Sequence, residues 1–171
     1  MTVPVVSSTL DVALWLFDQA RRDDQHLPAQ KLQRLLWITQ ALYAAENHGR
    51  MFMPATFVAA ETGPTEPSVF HAFEDSRPPI MMRKMTPVAD NFLNRIWRKY
   101  GHHSADYLNR MMTHNDVYRR AYRKEVGTVI PFDQIAQHFT QKPEPRSQVK
   151  TSDGRILRKW VPTAKPVLRQ G

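Results

Sequence analysis

The side chains best suited to chemistry are seven histidines, two pairs of adjacent acids and one dense run of cations. Their spacing decides what they can do. A metal site on helices needs ligands at spacings such as i, i+4, with a carboxylate in register. His102 and His103 are adjacent and point differently, and His26, His48, His71, His114 and His138 are scattered. They read as solvated or capping residues, so neither metal nor cofactor is expected. Asp23-Asp24 and Glu74-Asp75 lie beside basic or polar loop residues and read as solvated helix ends. No Gly-x-Ser-x-Gly turn presents a serine nucleophile. The six glycines are isolated, so they form no phosphate loop. Without cysteine there is no thiolate catalysis, thiolate-bound zinc or disulfide. These residues point away from an enzyme.

The cations are unevenly placed. Residues 1–80 hold 6 basic and 9 acidic groups, residues 81–140 hold 10 and 5, and residues 141–171 hold 8 and 2. A mildly acidic first half is therefore followed by a basic second half and a basic tail, which suits an anionic partner, nucleic acid or acidic protein. Arg119-Arg120-Ala121-Tyr122-Arg123-Lys124 interleaves cations with an aromatic and could bind phosphates. The preferred reading is a solvated helix face with Tyr118 and Tyr122 packed inward.

The elements that must position these groups are mostly helical. Ser8-Thr9-Leu10-Asp11 approaches a capping box, and Leu10, Ala13, Leu14, Phe17 and Ala20 follow at helical spacing. Pro28 opens a second helix, in which Leu32, Leu35, Leu36, Thr39, Leu42 and Tyr43 form the apolar face and Gly49 marks the stop. With Trp37 and Ile38 also apolar, this helix is expected at the centre of the fold. Residues 51–54 and 56–60 read as extended, an edge hairpin or edge strands, and Thr62-Gly63-Pro64 as a turn. Short helices are expected from Pro67, after Thr86-Pro87 as far as Gly101, after Ser104, and over 115–124 with Thr113 as cap. A short strand at Val129-Ile130 and a helix over 132–139 close the domain. The fold class is mainly α: a compact bundle of about six or seven helices with a small β element.

Residues 141–147 have a linker composition. Beyond them, Asp153-Gly154 between β-compatible runs signals a two-residue hairpin. Trp15, Trp37 and Trp97 fall in apolar helix patterns and read as core. Trp160 lies in the basic run Arg155-Ile156-Leu157-Arg158-Lys159-Trp160, and a lone hairpin has little with which to bury it. Either the tail folds back on itself or the domain, or Trp160 anchors a partner; on the second reading Arg155, Ile156, Leu157 and Trp160 are the candidate partner-binding residues. Met1 to Thr9 lacks the pattern of a signal peptide, and the apolar run Val12–Phe17 is too short to span a bilayer. A cytoplasmic protein without a membrane partner is expected.

From Leu27 onward the chain resembles the Panacea domain, found in SocA-like and phage GepA-like proteins. That family shows a Pro-x-Lys-Leu-Gln-Lys-Leu-Leu-Tyr helix, an apolar extended piece, a Tyr-Gly-Pro turn and a short helix. Here the counterparts are Pro28 to Trp37, including Lys31, Leu32 and Gln33, then residues 57–60, Thr62-Gly63-Pro64 and Val69-Phe70. Phe92 to Gly101 is similar to its Leu-x-x-Val-Trp-x-x-Tyr-Gly helix, and Ser104 to His114 to its Ser-x-x-x-Leu-x-x-x-Thr-His segment, placing Thr113 and His114 among the motif positions. Trp37 stands where tyrosine is usual, Thr62 replaces the tyrosine before Gly-Pro, Thr65 a valine, and Val117-Tyr118 a Pro-Trp pair. The likeness covers residues 8–140, leaving 141–171 as a basic linker and hairpin tail. The resemblance implies an antitoxin that neutralises a cognate toxin protein by contact. The SocA branch implies an adaptor that delivers its toxin to the ClpXP protease. The alternative is a nucleic-acid-binding module or transcriptional regulator.

Overall fold

A computed structural model describes residues 3–113, 115–137, 139, 148–150 and 156–158. The fold is mainly helical with a small three-stranded antiparallel sheet, as the periodicity predicts. The chain divides into two units at Thr140.

Helix α1 (Thr9–Arg22) buries Val12, Ala13, Leu14, Trp15 and Leu16. Its expected capping box does not form: Ser8 makes no side-chain cap, and Asp11 instead accepts the backbone N–H of Arg83 at 3.0 Å. Asp23, read as a solvated helix end, accepts the Trp97 indole N–H at 2.7 Å. Helix α2 (Ala29–Glu46) is the centre, buried on nearly every side and packed against α1 and several later helices. Leu32, Leu35, Leu36 and Thr39 are buried, whereas Leu42 is half-buried against the core edge.

The sheet differs from the sequence expectation in its pairing. Residues 51–54 form no strand. Phe52 and Met53 are fully buried, and the N-terminal segment pairs with this stretch through Val6 N–H to the Phe52 carbonyl at 2.8 Å. Strand β1 (Phe57–Ala60) pairs with β2 (Gly63–Thr65), so Gly63-Pro64 lies in a strand and Glu61-Thr62 makes the turn. On its other edge β1 pairs with β3 (Val129–Ile130), far along the chain. Gly127 (φ +89°) sits third in the Glu125–Thr128 turn, where positive φ is required. Gly127 N–H donates to the Ala59 carbonyl at 2.9 Å and Ala59 N–H to the Thr128 carbonyl at 2.8 Å, so two residues oppose one in a β-bulge.

Helix α3 (Pro67–Ala72) is capped by Glu66, and α4 (Pro87–Ile96) by Thr86. Helix α4 continues as a π-helical turn, Trp97–Gly101. A Cβ on Gly101 would lie 2.5 Å from the Trp97 ring, so glycine is what lets the indole lie against the backbone there. Helix α5 (Ala105–Thr113) starts with Tyr107 N–H on the Ser104 hydroxyl at 3.1 Å. The cap of α6 (Asp116–Lys124) is Asn115, accepting from Val117 N–H at 2.8 Å, in place of Thr113, which ends α5. Helix α7 (Phe132–Gln137) buries Ile135. Trp15, Trp37 and Trp97 are core residues, as expected. Tyr118 packs inward but Tyr122 does not.

In the second unit, β4 (Gln148–Lys150) and β5 (Ile156–Arg158) pair antiparallel, with Val149 opposite Leu157 and Lys150 opposite Ile156. The sequence predicts a two-residue Asp153-Gly154 turn between these strands. Asp153 and Gly154 themselves lie outside the described residues.

Candidate functional site

Helix α2 has no free polar face, yet it carries Gln33, Arg34 and Gln40, all buried. Buried polar groups must find partners, and these find them on backbone. The Gln33 carbonyl oxygen accepts Glu66 N–H at 2.7 Å, and its amide donates to the Glu66 carbonyl at 3.4 Å. The Gln40 carbonyl oxygen accepts both Phe52 and Met53 N–H at 3.1 Å, and its amide donates to the Met53 carbonyl at 3.0 Å. Arg34 donates to the Pro64 carbonyl at 2.7 Å, to Asn109 Oδ1 at 2.7 Å and to the Thr62 carbonyl. Burial pulls its guanidinium down to about 10, partly opposed by Tyr118 nearby, so it stays charged at neutral pH.

These contacts explain the glycine of the Thr62-Gly63-Pro64 motif. Gly63 has φ +120°, and a Cβ there would strike the Arg34 guanidinium. The residues at 31–37 and 63–64 that carry the resemblance lie together as an interior scaffold. Leu32, Gln33, Trp37, Gly63 and Pro64 are interior, and Lys31 is buried with its Nζ 5.9 Å from the Trp97 ring centre. Burial lowers the Lys31 pKa. Thr113 ends α5, and His114 lies outside the described residues. Glu66 completes the cluster: its carboxylate accepts Val69 N–H at 2.7 Å and caps α3.

What this scaffold presents outward is the connection 73–86 between α3 and α4. It is tied to α1 at two points. Arg77 makes a two-pronged ion pair with Asp18, Nε to Oδ1 at 2.7 Å and Nη2 to Oδ2 at 2.9 Å, and the Asp11 contact holds Arg83. Met82 and Met85 pack against the core. Between the ties Ile80 and Met81 stand out, Met81 at 92% exposure, and Val88 at the start of α4 is 62% exposed. Residues 76–89 contain Arg77, Arg83 and Lys84 and no acid. Sequence reading passed over this loop because it has no periodicity. The usable signal was the apolar run Ile80-Met81-Met82 inside a polar connection.

The remaining sequence candidates lie apart. His102 meets Gln25 at 2.5 Å and His103 stacks on Tyr107 at 4.1 Å. Among the described residues no group of three or more His, Asp or Glu comes together to hold a metal, and no helix is long and apolar enough to cross a membrane. Of the four tail candidates, Ile156 and Leu157 belong to β5, while Arg155 and Trp160 lie outside the described residues.

Compared with known proteins, the chain matches no family model, no curated protein and no solved structure.

Proposed function

We propose that the chain is a cytoplasmic protein-binding antitoxin of the Panacea (SocA-like) kind, which grips a cognate toxin with the loop between α3 and α4. The observation carrying this reading is the exposed Ile80-Met81 pair on a loop tied at both ends to α1. A pre-set loop loses little conformational freedom on binding, and methionine adapts to an apolar cleft. Arg83 and Lys84 beside the pair, in a segment 76–89 that contains no acid of its own, suit an acidic rim on that cleft. The resemblance at residues 28–37 and 62–70 supports the antitoxin class. Delivery of the toxin to ClpXP is the corresponding mechanism in the SocA branch.

The test is co-expression with the product of the adjacent reading frame. The expected result is restored growth and a 1:1 complex on purification. Ile80→Asp with Met81→Asp should leave the thermal midpoint unchanged and weaken the complex by about 2 kcal/mol or more, as for a central anchor. Neutralisation that survives this double substitution sinks the loop as the grip. An adjacent product that is neither toxic nor bound sinks the antitoxin reading. A ClpXP adaptor should also shorten the toxin's half-life in cells, and a constant half-life leaves simple blocking.

The basic tail, with Arg155, Ile156, Leu157 and Trp160, is proposed as a further toxin-binding segment. Deleting 141–171 should leave the first unit folded, because its core is built from residues 6–135, and should lower toxin affinity. Trp160→Ala alone is expected to cost about 2 kcal/mol of binding. Calorimetric affinities equal to that of the full chain would remove the tail from the interface.

A further inference from the structure

We propose that the outer face of α6 is a nucleic-acid binding surface that takes the phosphodiester backbone. Helix α6 buries Val117, Tyr118 and Ala121 and exposes Asp116, Arg119, Arg120, Tyr122, Arg123 and Lys124, four cations to one acid. None of the four α6 cations takes part in an ion pair among the described residues. Arg120 donates only to the backbone carbonyl of Asp116, at 3.3 Å.

The arrangement is costly for a face that is merely solvated. Arg119 and Arg123 are four residues apart, as are Arg120 and Lys124, and like charges at that spacing weaken a helix. A face serving solubility alone would alternate acids with bases there. The negative end of the helix dipole accounts for Arg123 and Lys124 in the last turn, and Asp116, three and four residues before Arg119 and Arg120, offsets only one of the two charges a turn earlier. An anionic ligand removes the repulsion and gives these side chains a partner.

Tyr122 selects nucleic acid over an acidic protein. Tyr122 is 38% exposed and its ring stacks on Tyr118, 5.7 Å between centres and 30° between planes. Tyr118 is held by its hydroxyl, which donates to the Ala60 carbonyl at 2.7 Å. Tyr122 thereby rests on an anchored ring, one helical turn from Arg119, as an aromatic platform of the kind on which unpaired bases stack. Stacking engages the open face of the ring together with the cations, and a single strand, whose bases are free to stack, gains more from it than a duplex.

The experiment measures binding of the full chain to a fluorescent single strand of about 20 nucleotides, and to the matching duplex, between about 50 and 200 mM salt. The tail is then the same in every variant. R119Q/R123Q is expected to lower affinity about tenfold and to reduce the log–log salt slope by about 2. R98Q/K99Q, which removes the same charge from the exposed face of the π-helical turn after α4, should change both little. Tyr122→Ala should weaken the single strand more than the duplex. Equal losses in the two double variants, no binding at low salt, or competition by polyglutamate as strong as by nucleic acid would each overturn the proposal. The last result would make α6 an acidic-protein surface. Circular dichroism melts confirm that each variant is folded, and glutamine keeps the helix propensity of the residues it replaces.

Discussion

Arg34→Ala is expected to destabilise the protein by about 3–5 kcal/mol, because it leaves buried acceptors unpaired and opens a cavity at once. The guanidinium serves three oxygens on three parts of the chain: the turn before β2 at Thr62, β2 itself at Pro64, and α5 at Asn109. No carboxylate is among these partners, so the charge is stabilised by carbonyl dipoles. Two further substitutions separate the contributions. Arg34→Met restores most of the volume without donors, and Arg34→Lys restores the charge without the planar fork. Both should fall between alanine and wild type in urea unfolding. If Arg34→Met proves as stable as wild type, the hydrogen bonds are not what holds the Gly63-Pro64 strand against α2. Burial of an isolated cation would then have been a net cost.

Trp37→Ala is the second large effect, about 3–5 kcal/mol, the usual range for deleting a buried aromatic. Trp37 is fully buried on α2 and meets Phe57 of β1 edge to face, 5.2 Å between ring centres at 85°. That contact joins the central helix to the central strand, so its loss should be felt in both. A thermal midpoint lower by about 10 °C or more is expected for a unit of this size. Trp37→Phe keeps an aromatic edge toward Phe57 and should recover part of the loss. A midpoint within a degree or two of wild type for Trp37→Ala would mean that the helix–sheet contact is dispensable.

Much of the helical layout was legible in the sequence because the signals are local. Apolar spacing located α1, α2 and α4, Thr86 and Ser104 marked helix starts, and the breadth of apolar residues on α2 placed it at the centre. The errors came where a local signal was answered from far away. Asp11 had the spacing of a capping acid and was taken by Arg83, 72 positions on. Asp23 looked solvated and holds the Trp97 indole, 74 positions on. Asn115 competed with Thr113 as the cap of α6, a choice of neighbours that spacing alone does not resolve.

The candidate surfaces were legible in a different measure. The cations of α6 are visible in sequence, but not that Tyr122 stays outside while Tyr118 goes in. The Ile80-Met81 display carries almost no sequence signal, since a loop tied by two aspartates of another helix has no period of its own.

By itself the sequence determined the fold class, the central helix and the absence of cysteine chemistry, because composition and periodicity act on neighbours and need no partner. Only the tertiary structure decided that Gln33, Arg34 and Gln40 are interior, that Gly63-Pro64 is a strand, and that β3 joins β1 from about seventy residues away. The reason is physical. A polar group can be buried, and a strand edge closed, only where complementary donors and acceptors arrive from elsewhere in the chain. Nothing within a few residues of Arg34 records that three oxygens will meet it.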